Sequence, residues 1–482
     1  MYVREGLFAF TIIVLFSFAS LSGFVIPQLH GKSPSVVYFA PQNEIPQNQF
    51  TVIWNIQSHR CTQLGVEFNL SSYNITANTK QGFRGESIAL FYAHDLGLYP
   101  FFLDNGTAVN GGLPQNVNLT AHLQKLTRDV ERLMPNKNFA GLGVLDWESW
   151  RPTFQTNRFT PRQRVYIERS VQRERNRHPD WSTDRLEAEA KLEFDRSARF
   201  LMQGTLFKLQ EMRPRARWAY YGFPKCLNYQ PGIRDCKENI KKANNEKYWL
   251  FSGSNALYPS IYLTEHLRKP AERHERVDGI LREALRVHER FGSDDQAIFP
   301  YSRFTYSDTT DPYTKVDLDN TIGQSFEAGS GGVILWEPFQ NYKTKTDCQV
   351  VKQYIETLLG PYVREKVTFA SNCSRQLCSL HGYCISKTWR LSRSKITEDY
   401  DVTWLKFWNM FADVIRFVKS HTPTEEGAEK QYGDYRCKCN KMWTGQHCDK
   451  LAIIKDEKVS KIKESRRTTF RQLVDWFSAL FS

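Results

Sequence analysis

The stretch AGLGVLDWESWRP, residues 140–152, reads as a buried β-strand that ends in a loop carrying two acids. Gly143 to Trp147 has the apolar, β-branched character of a strand, and side chains two positions apart on a strand point the same way. Asp146 and Glu148 therefore face one side together, at the point where strand becomes loop. Two carboxyls held this close do not both ionise easily, so one is expected to keep its proton near neutral pH.

Outward from this stretch, similar short runs recur: VVYFA, FTVIWN, SIALFYA, RWAYYGF, YWLFSG, AIFPYSRF and GGVILWE. Each reads as a buried strand. Amphipathic stretches such as LTAHLQKLTRDVERLMP and RVDGILREALRVHERFG lie between several of them. Strand–helix alternation sustained over this length predicts an α/β fold with a parallel sheet, closed into a TIM-like (β/α) barrel. In such barrels the working side chains sit where strands end, which is where Asp146 and Glu148 stand.

The texture changes after about residue 365. CSRQLCSLHGYC and the later YRCKCNKMWTGQHC have the spacing of an EGF-like module, with a long insertion between Cys384 and Cys437. That spacing implies the pairs Cys373–Cys384, Cys378–Cys437 and Cys439–Cys448. The insertion holds WLKFWNMFADVIRFVK, an amphipathic stripe expected to pack on the barrel. The predicted organisation is a signal peptide or signal anchor over 1–26, a catalytic barrel over 27–362, the disulfide-rich module over 363–449 and a basic tail over 450–482. The tail ends in FRQLVDWFSALFS, read as a docked terminal helix or an interfacial membrane helix.

Arg4 followed by an apolar run from Leu7 predicts entry into the secretory pathway, the product being secreted or lysosomal, or membrane-tethered if the run is not cleaved. Ten cysteines, an even number, suit five disulfides in an oxidising compartment. Glycosylation sequons at Asn69, Asn74, Asn105, Asn118 and Asn372 point the same way. The net charge is +13, and residues 151–220 alone carry 16 Lys and Arg against 9 Asp and Glu. With no nucleic-acid motif and a secretory route, a polyanionic polysaccharide is the expected partner rather than nucleic acid. The bland alternative is a solvated helix of mixed charge.

A protonated carboxyl beside an ionised one is what cleavage of a glycosidic bond requires. Spacing alone is weak, since the same carboxyls could simply bond a nearby arginine such as Arg151. GVLDWESWRP, however, resembles the signature of the hyaluronidase family of glycoside hydrolases. VIWNIQSHRC, ALFYAHDLGLYP, HPDW, YYGFPKCLNY, LYPSIYL and GGVILWEPFQNYKTKTDC resemble further family landmarks in order. The resemblance implies a distorted (β/α) barrel with Glu148 as proton donor and Asp146 as the carboxyl that orients the substrate's acetamido group. It implies Tyr262 as hydrogen-bonding that group, Tyr221 and Trp336 as its pocket, and Asn55, Tyr92 and Asp308 as further cleft positions. It also implies the disulfides Cys61–Cys348 and Cys226–Cys236.

The activity implied is that of an endo-β-N-acetylhexosaminidase acting on hyaluronan with retention, the substrate's own acetamido oxygen serving as nucleophile. Chondroitin is the rival substrate, and a non-catalytic glycosaminoglycan-binding protein the rival class. TFQTNRFT, after the signature, departs from the family pattern and puts chain-length or substrate preference in question. The chain is expected to act as a monomer without metal or organic cofactor, and no zinc-type H-E-x-x-H motif occurs among the 11 histidines.

Overall fold

The apolar runs pair side by side in parallel. The computed structural model describes residues 49–158, 160–267, 269–338, 342–391, 431–440 and 443–452. The parallel strands are β1 (Thr51–Trp54), β2 (Ile75–Ala77), β3 (Ile88–Tyr92), β4 (Leu142–Asp146), β5 (Arg217–Tyr220), β6 (Ala256–Leu257), β7 (Ala297–Ile298), β8 (Tyr301–Ser302) and β9 (Gly332–Leu335). They form three sheets, in the orders β8-β9-β1-β2, β3-β4-β5 and β6-β7. Single parallel bridges, Tyr221 to Tyr258 and Ser260 to Tyr301, link one sheet to the next.

Closure is where expectation and structure part. Among the described residues no ladder joins β2 to β3, so the strands do not form a closed hydrogen-bonded barrel. The buried side chain of Asn78, just after β2, bonds there instead. Its Oδ1 accepts from the backbone N–H of Ser87 (3.0 Å) and Ile88 (3.1 Å), and its Nδ2 donates to the Ile88 carbonyl (2.9 Å). The Ser87 and Ile88 N–H groups are thereby satisfied at a buried strand edge.

The period of two along each strand divides the core. Leu142 and Val144 of β4 join Ile53, Ile88, Leu90, Ala219, Ala256, Tyr258 and Ile334 in the cluster enclosed by the strands. Leu145 faces the other way, into the layer that holds Trp218 and the apolar sides of the helices. Gly143 is needed because a β-carbon there would lie 2.3 Å from the Trp218 ring. Asp146 therefore continues the inward series Leu142, Val144, at the strand's C-terminal end.

Helices Leu119–Leu133, Pro161–Arg177, Thr183–Met212 and Pro270–Phe291 occupy the connections, two of them at the stretches read as amphipathic. Asn118 caps the first, its Oδ1 accepting from Ala121 N–H. The basic stretch is laced with ion pairs such as Arg177–Glu174 (3.2 Å) and Lys191–Asp195 (2.7 Å), in keeping with a mixed-charge helical surface. YWLFSG is not a strand but the helix Tyr248–Gly253. Trp249, Leu250 and Phe251 are all buried, and a short run built on them fits a buried helix turn as well as a strand. The Gln296 amide secures its end by donating to the Phe251 and Ser254 carbonyls.

All ten cysteines are bridged, as Cys61–Cys348, Cys226–Cys236, Cys373–Cys384, Cys378–Cys437 and Cys439–Cys448. Helix Gly360–Leu377 crosses the boundary expected at 362/363 and carries Cys373 against an antiparallel pair, β10 (Gly382–Ser386) with β11 (Tyr435–Cys439). The N-terminal segment, VVYFA, the stripe in the insertion and the tail from 453 lie outside the described residues. Among the described residues, no helix is long and apolar enough to cross a membrane.

Candidate active site

At the C-terminal ends of β4, β5 and β9, side chains from several loops converge on a hollow of about 140 Å³. Leu90, Asp146, Glu148, Tyr221, Tyr262, Tyr301 and Trp336 line it. Asp146 and Glu148 share it because Trp147 between them turns into the core, where its ring packs 4.6 Å from that of Tyr99. Among the described residues these two are the only carboxylates in the lining.

The two acids differ in surroundings. Burial first, and the neighbouring Glu148 charge second, push the Asp146 carboxyl up to about 7, against the pull of Lys225 and Arg151. Glu148 is nearly half exposed, with 46 % of its side chain accessible. One of its oxygens, Oε1, lies 3.4 Å from Arg151 Nη1 and 3.8 Å from Lys225 Nζ. Of the two, Asp146 is therefore the carboxyl whose protonated form its surroundings favour toward neutral pH.

Three aromatic rings shape the wall. Tyr262 and Trp336 lie nearly parallel (12°), with centroids 6.2 Å apart, and Tyr221 is 6.4 Å from Tyr262. Burial raises the Tyr221 and Tyr262 hydroxyls well above their ordinary range, so both stay protonated donors. Trp336 is steadied by its indole N–H, which donates to the Tyr92 hydroxyl at 3.2 Å. Burial pushes that hydroxyl up to about 12. Beyond Trp336 a second depression, about 340 Å³, is lined by Gln57, Phe83, Tyr92, Glu337, Pro338 and Tyr342. The cleft is therefore longer than one sugar ring.

Of the residues singled out in the sequence, Asp146, Glu148, Tyr221, Tyr262 and Trp336 meet in the hollow, and Tyr92 adjoins it. Asn55 is fully buried behind it, donating from Nδ2 to the Tyr301 hydroxyl at 2.9 Å. Asp308 is not part of the lining. Its carboxylate accepts from the backbone N–H of Glu265 (2.7 Å) and His266 (3.3 Å) and so ties down a loop. Burial alone would raise that carboxyl; the backbone donors outweigh it and hold it below the usual range.

Tyr301 and Lys225 went unread. Tyr301 is a strand residue like many others, and only the pairing of β8 with β9 aims it inward. Within the departing segment TFQTNRFT, Asn157 ties back to Arg151. The Oδ1 of Asn157 accepts from Arg151 N–H (2.7 Å) and its Nδ2 donates to the Arg151 carbonyl (3.1 Å). The altered loop thereby fixes the backbone of the arginine beside Glu148. Among the described residues no three His, Cys, Asp or Glu side chains are grouped as metal ligands.

An acid pair at the ends of parallel strands, walled by aromatic rings and open along a cleft, can protonate a leaving oxygen while gripping a sugar face. Comparison with known proteins points in the same direction. The model of the hyaluronidase family matches residues 39–452. Human hyaluronidase-1 is 38% identical over 350 residues, 71% of this chain and 80% of that protein. The hyaluronidase of Crotalus adamanteus is 33% identical over 427 residues, 85% of this chain and 92% of that protein. The crystal structure of bee venom hyaluronidase in complex with a hyaluronic acid tetramer superposes with a TM-score of 0.62 at 35% identity, covering 66% of this chain and 99% of that one.

Proposed function

From the premise that this chain belongs to the hyaluronidase family and is a glycoside hydrolase, we propose that it hydrolyses hyaluronan at its N-acetylhexosaminidic bonds. The observation that carries this is the hollow itself, where Asp146 and Glu148 face Tyr221, Tyr262 and Trp336. The bound tetramer in the bee venom relative supports the same class of substrate.

In this reading the hexosamine stacks on Trp336, with its N-acetyl group between Tyr221 and Tyr262. With substrate bound, the proton held on Asp146 passes to Glu148. Glu148 gives that proton to the glycosidic oxygen as the bond to the anomeric carbon breaks. The substrate's acetamido oxygen attacks the same carbon and forms an oxazolinium ion. Asp146, now anionic, balances its charge by accepting the acetamido N–H, and Tyr262 donates to the attacking oxygen. Ionised Glu148 then takes a proton from water, which opens the ring and restores both groups. Two displacements at one carbon retain its configuration. The lack of a third carboxylate in the described lining favours this route over an enzymic nucleophile.

Residues 27–362 form the catalytic part and 363–449 an EGF-like support. The five disulfides suit a secreted or lysosomal protein, with glycans on the five sequon asparagines. Purified protein incubated with hyaluronan and with unsulfated chondroitin, with products sized over time, tests the substrate. Even-numbered hyaluronan oligosaccharides ending in reducing N-acetylglucosamine should appear first. Faster cleavage of chondroitin would reassign the substrate, and no cleavage of either would leave a binding protein.

A further inference from the structure

We propose that Lys225 is a specificity-determining residue that binds the carboxylate of the uronic acid on the leaving side of the scissile bond. This rests on the function proposed above, which makes that bond one from hexosamine to uronate. In such a polymer the glycosidic oxygen belongs to C4 of the uronic acid, and the carboxyl group hangs on the adjacent C5. Whatever protonates that oxygen lies within a few bonds' length of the carboxylate. The acid is Glu148, and Lys225 Nζ stands 3.8 Å from its Oε1.

Lys225 is built into this place. It follows β5, and its ammonium folds back over Gly222, whose φ is +77°; a β-carbon at Gly222 would lie 2.7 Å from Nζ. The backbone carbonyl of Lys225 accepts from the Asn244 amide at 2.8 Å, and that amide also donates to Glu283 at 2.7 Å. The next residue, Cys226, is bridged to Cys236. Three-quarters of the Lys225 side chain is buried, with 25% exposed.

Yet the ammonium is under-used. It has three donors, and among the described residues its one carboxylate partner is Glu148, beyond the 2.7–2.9 Å typical of a charge-assisted hydrogen bond. Glu148 is shared besides with Arg151 at 3.4 Å. Two cations thus flank one carboxylate oxygen, and a second anion entering beside it would complete the charge balance. A buried ammonium without a close partner is costly to keep, and such sites are commonly where a ligand charge is received. Burial first, then Arg151, pull Lys225 down to about 8, while Glu148 and Asp146 pull the other way. The rings of Tyr221 and Phe223 complete its surroundings, at 5.9 and 5.6 Å. The ammonium therefore carries its charge across the acid and neutral range.

The test compares hyaluronan octasaccharide with the same octasaccharide fully methyl-esterified, which keeps every ring and removes every carboxylate charge. The wild-type protein, Lys225→Met and Lys225→Arg are assayed on both for kcat/KM. The wild type should prefer the native sugar. In Lys225→Met the ratio of native to ester should fall about tenfold or more, the value of one charge-assisted contact, and Lys225→Arg should keep most of it. The ratio is internal to each variant, so partial misfolding does not mimic the result. An equal loss on both substrates in Lys225→Met would overturn the assignment and leave Lys225 serving Glu148 alone. Failure of the wild type to cut native hyaluronan would overturn the function and this inference together.

Discussion

Glu148→Gln should lower kcat on hyaluronan by about a thousandfold or more while KM changes little. The amide keeps the shape of the side chain but has no proton to give the leaving oxygen, and afterwards no charge with which to activate water. General acid–base help of this kind is worth roughly 10²–10⁴ in rate, and in the proposed mechanism one group supplies it in both steps. The fold should not suffer. The Glu148 side chain is nearly half exposed and its contacts to Arg151 and Lys225 are long, so losing them costs at most about 1 kcal/mol. Rates of reducing-end release, read beside thermal melting of both proteins, check the point. A variant that melts normally and keeps more than a tenth of wild-type kcat would take the acid role away from Glu148.

Asp146→Asn should cut activity on the order of a hundredfold or more, and it should also stabilise the protein at neutral and alkaline pH. The first effect is the loss, in the proposed mechanism, of the anion that Asp146 becomes once its proton has left, and with it the charge that balances the oxazolinium ion. The second follows from burial, which pushes the folded-state carboxyl up to about 7, against about 3.9 in an unfolded chain. A group raised in the folded state contributes stability below its unfolded value and loses it as pH rises through 7. Asparagine resembles the protonated acid at every pH. The two proteins should melt alike near pH 4. At pH 8 the variant should gain roughly 1–3 kcal/mol, less than the full shift implies because the site relaxes. The wild-type rate should fall above about pH 7, as the pair loses the proton that the leaving oxygen needs. A variant no more stable at pH 8 than the wild type, relative to pH 4, would contradict the burial argument.

The two acids were legible because a strand's alternation is written in its residues: Leu142, Val144 and Asp146 take one face whatever lies around them. The wall aromatics came from resemblance, since nothing local separates Tyr262, at the mouth, from Tyr258, inside the core. YWLFSG was illegible because a short, largely apolar run suits either buried element, and long-range packing decides between them. Strand closure failed for a related reason. One buried amide, Asn78, makes the bonds that another strand pair would have made, and its partners lie about ten residues on. Lys225 was invisible because its position depends on the turn at Gly222, the Asn244 clamp and a disulfide acting together.

In the proposed mechanism the substrate's own acetamido oxygen attacks the anomeric carbon while Glu148 protonates the leaving group. The most direct measurement replaces N-acetyl by N-trifluoroacetyl on the hexosamines of a hyaluronan oligosaccharide, which leaves charge alone and adds modest bulk but makes that oxygen a poorer nucleophile. With the acetamido group as nucleophile, kcat should drop on the order of a hundredfold, with binding largely kept. An unchanged kcat would mean that another group attacks, and would contradict the account.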